Sequence, residues 1–390
     1  MSGRLVRWVC AAAVAGAVAA PGTAGAAPEP GSGPGSGPGS GPGGGQSVAG
    51  LLTELQTLYQ EAEEATETYN ATEEELGERR EEAESLAGKL AAARGTLYGS
   101  RMAAGRLARA QYQGRSQISP YVRLLLARDP QHALDQGHVV QRAARDQQAT
   151  VDRLTGDEKK ADGLATEARA TLDRQLRLTA QRKKERDTVR GRLKEVEELL
   201  ASLSSDQLAD LARLEDAGAA DAQRALVTSG ALGSAARAPS KAGGAALAYA
   251  VRQIGKPYEW GAEGPGSFDC SGLTSQAWAH AGRKIPRTSQ QQWATLPRVP
   301  LSRLRPGDLV VYFPKATHVA LYLGNGKVVQ APRPGARVKV SPIAANPLLG
   351  AVRPDPGAKP MTGYRPPSLP RGAMSGGDAG YDDPAQEAGD

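Results

Sequence analysis

A seven-residue repeat of apolar positions runs through much of the first half of this 390-residue chain. Between Leu55 and Leu97 an apolar residue recurs at every seventh position, and a second apolar row runs beside the first. Two helices that wind around each other bury such a seam between them, so the repeat predicts a long coiled-coil helix. The members of the two rows are Leu55, Ala62, Tyr69, Leu76, Ala83, Leu90 and Leu97, with Leu58, Ala65, Leu86 and Ala93 alongside.

The repeat weakens around Ser119-Pro120 and then returns. Proline disfavours helix at the residue before it, so we expect a bent insert with short helices at this point. Beyond the bend, apolar residues from Val189 to Leu203 alternate in steps of four and three, which suits packing against the first helix as an antiparallel hairpin. We place this coiled-coil hairpin at residues 46–216. A homodimeric coil is the competing arrangement.

The first 26 residues have the pattern of a secretory signal peptide. Arg4 and Arg7 precede an apolar stretch that is too short to span a bilayer, and the small residues before Ala27 suit cleavage. Cys10 lies inside this leader and is expected to be removed with it. We therefore predict a secreted protein whose mature form keeps a single cysteine, Cys270.

Composition separates the remaining segments. Residues 27–45 repeat Gly, Ser and Pro, which predicts a flexible linker. Small residues without a period at 217–243 predict a second linker, and the composition of 357–390 predicts a disordered tail. Between these two, at 244–356, Gly, Pro, Tyr and Trp become more frequent and β-branched runs appear. This segment predicts a compact α+β domain of ordinary size.

Cys270 has no disulfide partner in the predicted mature chain, so we expect it to serve chemistry. Asp269 can cap a helix that begins at Cys270, and the N-terminus of a helix stabilises a thiolate. A buried, inert cysteine is the alternative, but the small polar neighbours favour a site open to substrate. His318 is the predicted base, because His280 lies almost three turns away on the cysteine's own helix.

A hairpin is expected to orient this base. Gly324-Asn325-Gly326-Lys327 signals a tight turn after the strand that begins at His318. Folding about that turn places Gln330 roughly opposite His318, where it can accept a hydrogen bond from the ring. The other ring nitrogen then faces Cys270. The prediction is a triad of nucleophile, base and neutral orienting group.

Five motifs of the predicted domain resemble, in the same order, the NlpC family of papain-like cysteine peptidases that trim bacterial peptidoglycan. They are Gly255–Gly261, Phe268–Leu273, Arg287–Gln291, Leu304–Val310 and His318–Gly326. The resemblance implies that Cys270 is the nucleophile and that His318 is the general base and then the acid. Gln330 matches the third, polar member, which is most often histidine in the family. A neutral amide stabilises an imidazolium less than a charged group does.

The resemblance also implies a fold and a substrate groove. The fold is a small papain-like α+β domain behind the helical hairpin. Tyr258 matches the tyrosine beside the nucleophile, whose hydroxyl can stabilise an oxyanion together with the backbone N–H of Cys270. Asp269, Ser271 and Ser289 match positions that line the groove and receive the polar groups of the peptide. No metal or other cofactor is implied, and the domain's one cysteine and two histidines lack the spacing of a zinc site.

The implied reaction is hydrolysis of the bond from γ-D-glutamyl to the diamino acid in a peptidoglycan stem peptide, through a thioester acyl-enzyme. Such a D,L-endopeptidase serves cell-wall remodelling or daughter-cell separation. Amidase cleavage at the sugar–peptide junction is an alternative within the same class. A non-catalytic wall-binding or activator protein with a degenerate peptidase domain is the alternative from a different class, and only Gln330 hints at it. Cys270, His318 and Tyr258 together favour the enzyme.

Charge indicates where the protein acts. Residues 244–356 hold 14 Lys and Arg against 5 Asp and Glu. Such a surface is expected to bind the anionic polymers of a cell wall rather than nucleic acid, because a secreted chain without a nucleic-acid motif seldom meets it. By analogy with secreted wall hydrolases, the coil is expected to dock on a membrane division complex and to cover the Cys270 groove until activated. A charged stalk that only positions the domain is the simpler interpretation.

Overall fold

The structure, a computed structural model, describes residues 47–114, 122, 130–233 and 237–374. The predicted signal peptide, the first linker, nearly all of the predicted bent insert around Ser119-Pro120 and the residues after 374 lie outside this part. Within it, no helix combines the length and the apolar character needed to cross a membrane.

Two long helices form the N-terminal half of the described chain. Helix α1 spans Val48–Gly114 and helix α2 spans Pro130–Ala201. Ion pairs join the two helices, and as the residue number in α1 rises, that of its partner in α2 falls. The helices therefore pack antiparallel within one chain, as the hairpin interpretation predicted. These pairs are Glu61 with Arg192, Glu73 with Arg182, Glu75 with Arg174 and Arg101 with Glu158. The first apolar row buries Leu55, Ala62 and Leu76.

A third helix, α3, spans Ser205–Thr228. Ser204 caps it: the Ser204 hydroxyl accepts from the backbone N–H of Gln207, and the Gln207 side chain accepts from the backbone N–H of Ser204. The predicted linker at 217–243 is therefore wrong in its first part, which is helical through Thr228. The heptad repeat does end before this point. Alanine is the strongest helix former, however, so the alanine-rich sequence continues as a helix without an apolar seam.

The C-terminal domain is α+β, as predicted. Its helices are α4 at Lys241–Arg252, α5 at Cys270–His280 and α6 at Ser289–Thr295, with a 3₁₀ turn at Leu301–Arg303. Its strands are β1 at Arg298–Val299, β2 at Leu309–Tyr312, β3 at His318–Gly324, β4 at Lys327–Gln330, β5 at Lys339–Pro342 and β6 at Leu348–Val352. They form one antiparallel sheet in the order β1-β6-β2-β3-β4-β5.

Side chains alternate between two cores on the faces of this sheet, as the period of a strand requires. On one face Val311, Val319 and Leu321 pack with the buried side chains of α4 and α5. On the other face Val310, Tyr312 and Ala320 pack with residues that include Leu226, near the end of α3. Helix α3 therefore covers the sheet face that α4 and α5 leave, and it ties the hairpin to the domain.

The segment after β6 follows the domain surface as far as residue 374. The backbone N–H of Met361 donates to the carbonyl of Pro239, and the N–H of Val340 donates to the carbonyl of Ala373, both at 2.8 Å. Ala373 is buried. The described part of the predicted disordered tail, 357–374, is therefore ordered. This segment lacks a periodic apolar pattern. Backbone hydrogen bonds to the edge strand β5 do not require such a pattern.

Candidate active site

Helix α5 places Cys270 at its first position. Asp269 caps the helix as predicted: a carboxylate oxygen accepts from the backbone N–H of Gly272 at 2.6 Å. A side chain at Gly272 has no room, because its Cβ would lie 2.2 Å from the carbonyl oxygen of Ala262. Cys270 is a free cysteine, and it is only 3% exposed. From its small polar neighbours, Cys270 was predicted to lie in a site open to substrate. This prediction is wrong for the structure, in which the cysteine is buried.

His318 begins β3 and is fully buried. Its Nε2 lies 2.8 Å from Oε1 of Gln330, so the predicted contact between base and orienting group is present. The predicted register is wrong by two residues. The register shifts between Gly324 and Tyr322, so that Leu321 pairs with Val329, and continuing this register puts Ala320, rather than His318, opposite Gln330. The hydrogen bond therefore runs diagonally across the two strands.

Tyr258, the predicted oxyanion donor, lies in the same buried cluster as Cys270. Burial raises the pKa of Tyr258 well above its ordinary value, and the neighbouring Cys270 and Asp269 raise it further. The phenol therefore keeps its proton and remains a hydrogen-bond donor.

The sequence assigned no role to Arg287, a buried residue that organises the groove. Its guanidinium binds both carboxylate oxygens of Asp269, at 3.1 and 2.7 Å, and donates to the hydroxyl of Ser271 at 2.8 Å. Burial alone lowers the pKa of this arginine, but the carboxylates of Asp269, Glu263 and Glu67 together more than reverse the effect and raise it. The bidentate pair fixes Asp269 and Ser271. Its only signal in the sequence is its place in the Arg287–Gln291 motif.

Ser289 enters the site differently from the prediction. Its hydroxyl donates to the carbonyl of Ala316 at 2.7 Å, so the hydroxyl is engaged with backbone. Its backbone N–H, in the first turn of α6, points to the carboxylate of Glu67 at 2.8 Å. The groove therefore gains a main-chain donor at this position.

Two glutamates of α1 lie beside Cys270 and His318, the predicted nucleophile and base. Glu67 accepts from the Ser271 hydroxyl at 2.7 Å, and the same carboxylate oxygen lies 3.5 Å from Sγ of Cys270. Glu63 lies 3.1 Å from Nδ1 of His318, the nitrogen that was predicted to face the cysteine. Both glutamates are buried. Helix α1 therefore occupies the groove that a substrate needs.

Further contacts hold α1 in this position. Asn70 donates to Asp269 at 3.1 Å, one turn after Glu67. Tyr69 packs edge-on against Trp260, with ring centroids 5.1 Å apart. The carboxylate of Glu64 pairs with Lys315 at 2.9 Å at the rim of the groove.

The C-terminal domain is similar in sequence to known proteins. Residues 255–349 match the NlpC/P60 family. A probable endopeptidase of Corynebacterium glutamicum strain R is 42% identical over 160 residues, which cover 40% of this chain and 70% of that protein. This chain belongs to the NlpC/P60 family.

Two further NlpC/P60 proteins are similar to this chain. A probable endopeptidase from another strain of C. glutamicum is 44% identical over 117 residues, and the match covers 30% of this chain and 56% of that protein. The crystal structure of the NlpC/p60 domain of the peptidoglycan hydrolase SagA has 35% sequence identity, covers 28% of this chain and 97% of that chain, and gives a TM-score of 0.27. The two Corynebacterium relatives are named probable endopeptidases, which supports a peptidase here.

The charges in the NlpC/P60 site favour protonated groups while α1 is in place. Burial raises the pKa of Glu67 to about 7, and the nearby Asp269 carboxylate adds to the rise. Burial likewise raises the pKa of the Cys270 thiol well above its ordinary value, and Glu67 and Asp269 raise it further. Burial lowers the pKa of His318, but Glu63, Gln330 and Glu67 together outweigh burial and the net change is upward. Cys270 is therefore held as a thiol, and His318 is paired with the carboxylate of Glu63.

Within the described residues, no cluster of three or more His, Cys, Asp and Glu side chains is arranged to hold a metal ion. The polar side chains around Cys270 bind one another or the glutamates of α1.

Proposed function

We propose that this protein is a secreted cysteine D,L-endopeptidase that cuts peptidoglycan stem peptides between γ-D-glutamyl and the diamino acid. The observation that carries the proposal is the hydrogen bond between His318 and Gln330, on a domain that places Cys270 in the first turn of a helix. A nucleophile at a helix N-terminus and a base with an oriented ring are the two requirements of thiol catalysis.

The mechanism proceeds through two acyl transfers. His318 takes the proton of Cys270, and the thiolate adds to the scissile carbonyl carbon. Tyr258 and the backbone N–H of Cys270 donate to the resulting oxyanion. The C–N bond then breaks, His318 gives its proton to the leaving amine, and a thioester remains. Water, activated by His318, releases the glutamyl carboxylate and restores the thiol.

We also propose that α1 restrains this activity. A stem peptide cannot reach Cys270 while Glu67 binds Ser271 and the Ser289 N–H, nor can His318 act as a base towards Cys270 while Glu63 contacts Nδ1. Activation then requires withdrawal of α1, for which a membrane division complex bound to the coil is the proposed agent. The basic domain, with its excess of Lys and Arg, is proposed to bind anionic wall polymers.

The competing proposal of a non-catalytic wall-binding or activator protein was based on Gln330. Its amide oxygen lies at hydrogen-bond distance from His318, which is what an orienting residue does, so this contact favours the enzyme. Amidase cleavage at the sugar–peptide junction uses the same residues and differs only in the bond that is cut.

Mass analysis of muropeptide products tests these proposals together. Defined muropeptides are incubated with the full chain, with Glu67→Ala and with Glu67→Ala/Cys270→Ala. We expect the Glu67→Ala chain to release fragments that end in γ-glutamate, and the double variant to release none. Free stem peptide with intact sugar indicates the amidase. Binding without any product, in every variant, contradicts the enzyme and supports the wall-binding protein.

A further inference from the structure

The side chain of Gln330 is held from its far end by a residue outside the triad. Its amide nitrogen donates to the hydroxyl of Ser341 at 2.8 Å. Ser341 lies on β5 and is 4% exposed. The β4–β5 register pairs Val328 with Ser341, which places Ser341 diagonally next to Gln330 on the same face of the sheet.

The two ends of an amide are chemically different. The oxygen only accepts and the NH₂ only donates. With Oε1 towards His318, Gln330 accepts from Nε2–H, which leaves Nδ1 as the nitrogen that takes a proton. With the amide turned end for end, the NH₂ group would point at Nε2. It would then repel the imidazolium that forms when His318 acts as a base.

We propose that Ser341 is a positioning residue that fixes Gln330 with its oxygen towards His318. Ser341 touches neither the ring nor the nucleophile and acts through Gln330 alone. Without the Ser341 hydroxyl, the buried NH₂ of Gln330 loses its hydrogen-bond partner in the described structure. An unsatisfied buried donor is unfavourable, so the amide is expected to turn or shift. The inference rests on the proposed peptidase function for its kinetic consequence, but its effect on the pKa of His318 does not depend on that function.

The groups around His318 define what its titration reports. Glu63 and Glu67 of α1 face the ring, Gln330 of β4 accepts from it, and the Tyr312 ring of β2 lies 5.6 Å away between centroids. A change at Ser341 leaves the glutamates and the tyrosine in place. A shift in the pKa of His318 on that change therefore comes through Gln330.

The first test compares Ser341→Ala with Ser275→Ala in the full chain. Ser275 is also buried, but its hydroxyl donates to the carbonyl of Gly272 within α5, so it is a matched control. NMR of histidine labelled with ¹⁵N measures the pKa of His318. We expect Ser341→Ala to lower this pKa and Ser275→Ala to leave it unchanged. In chains that also carry Glu67→Ala, we expect Ser341→Ala to lower kcat about tenfold with little change in KM.

Two further variants separate positioning from folding. Ser341→Thr keeps the hydroxyl and is expected to retain most of kcat and the original pKa of His318. Ser341→Cys keeps the size but offers only a weak acceptor, so it is expected to behave like alanine, and it serves if the alanine variant does not fold.

A second test uses the symmetry of a carboxylate, which presents an acceptor at both ends. In a Gln330→Glu background, orientation no longer depends on Ser341, so Ser341→Ala is expected to change kcat by less than about twofold. Equal losses in both backgrounds, or a folded Ser341→Ala chain with an unchanged His318 pKa, overturn the inference. If no variant cleaves muropeptides but the pKa of His318 still falls, the proposed function fails and the positioning role stands.

Discussion

At the scale of single residues, Glu67 brings a carboxyl group within 3.5 Å of a nucleophilic sulfur, and the site keeps that sulfur protonated. The Glu67 carboxylate accepts hydrogen bonds from the Ser271 hydroxyl and the Ser289 N–H. In the proposed mechanism, the polar groups of a substrate need the same donors. Glu63 likewise places a carboxyl group beside Nδ1 of His318, the predicted base. The resting site is therefore filled by side chains of its own chain.

Removing the carboxyl of Glu67 should expose the thiol. We expect Glu67→Ala to increase the alkylation rate of Cys270 by iodoacetamide about tenfold or more, because burial and the adjacent charge both raise the pKa of the thiol. Peptide mapping of the modified residue gives the rate. Glu64→Ala is the matched control, since Glu64 lies on the same helix but pairs with Lys315 at the exposed rim. Equal rates for the wild type and Glu67→Ala would contradict the role given to this carboxyl.

The closed site should also respond to pH in a defined direction. Burial against the domain raises the pKa of Glu67 from 4.5 to about 7, and the contact with Glu63 of α1 raises that of His318. The closed state therefore binds more protons than the open state. The Glu67 contribution to closure is full below about pH 4.5 and is lost as the pH rises to about 7, and that of His318 is lost above 6.5.

Energy transfer between one dye on α1 and one on the C-terminal domain measures this opening. We expect transfer to fall as the pH rises through about 5 to 7, and we expect Glu67→Gln, which does not titrate, to lose most of the change. Opening on acidification would contradict the proton linkage.

The sequence predicted those site residues whose positions depend on neighbouring residues in the chain. Cys270 follows a cap, His318 begins a strand and Gln330 follows a hairpin signal, so each could be located from its neighbours. Glu63 and Glu67 could not, because a glutamate on a coil helix is ordinarily solvated. Their only signal is the spacing of Glu63, Glu67 and Asn70, which repeats the seam spacing with polar residues.

At the scale of elements, α1 has two buried faces rather than one. Leu55 and Leu76 face the hairpin seam, whereas Glu63, Glu67 and Asn70 face the C-terminal domain. Helix α3 completes the attachment on the other side of the sheet. Its Glu215 pairs with Arg333 at 2.6 Å, and its Gln223 donates to the carbonyl of Gly326 at 3.1 Å.

Burial along α3 gives a prediction for stability. Leu211 is fully buried, and we expect Leu211→Ala to lower the free energy of unfolding by about 2–5 kcal/mol because it leaves a cavity. Leu214, one turn later, is 42% exposed, and its change to alanine should cost about 0.5 kcal/mol or less. Urea unfolding measures both. Equal losses would show that α3 is not packed as described.

At the scale of the whole molecule, the order of helical hairpin, connecting segment and α+β domain follows from composition and periodicity, but the helix α3 within the connecting segment was predicted as a linker. The placement of α1 on the groove does not follow from them. That contact is made by buried polar side chains, and no periodic pattern encodes which distant donors they meet. The sequence could raise the idea of a covered groove only by analogy, and the geometry supplies Glu63, Glu67 and Asn70 as the residues that cover it.

A zero-length cross-link should capture the closed molecule. The Glu64 carboxylate and the Lys315 amine are 2.9 Å apart, so a carbodiimide should join them as an amide with loss of water. We expect the cross-linked chain to stay inactive on muropeptides even when it carries Glu67→Ala. Lys315→Arg keeps the charge but not the amine and should remain uncoupled. Full activity in the cross-linked chain would contradict a covering role for α1.

The most direct test of a peptidase restrained by α1 is the initial rate of stem-peptide hydrolysis by three full chains. These are the wild type, Glu63→Ala/Glu67→Ala and the same double variant with Cys270→Ala. We predict that the double variant is at least about tenfold faster than the wild type, since it frees both the thiol and the base, and that the cysteine change abolishes hydrolysis. A double variant no faster than the wild type, or hydrolysis that survives the loss of Cys270, would contradict the account.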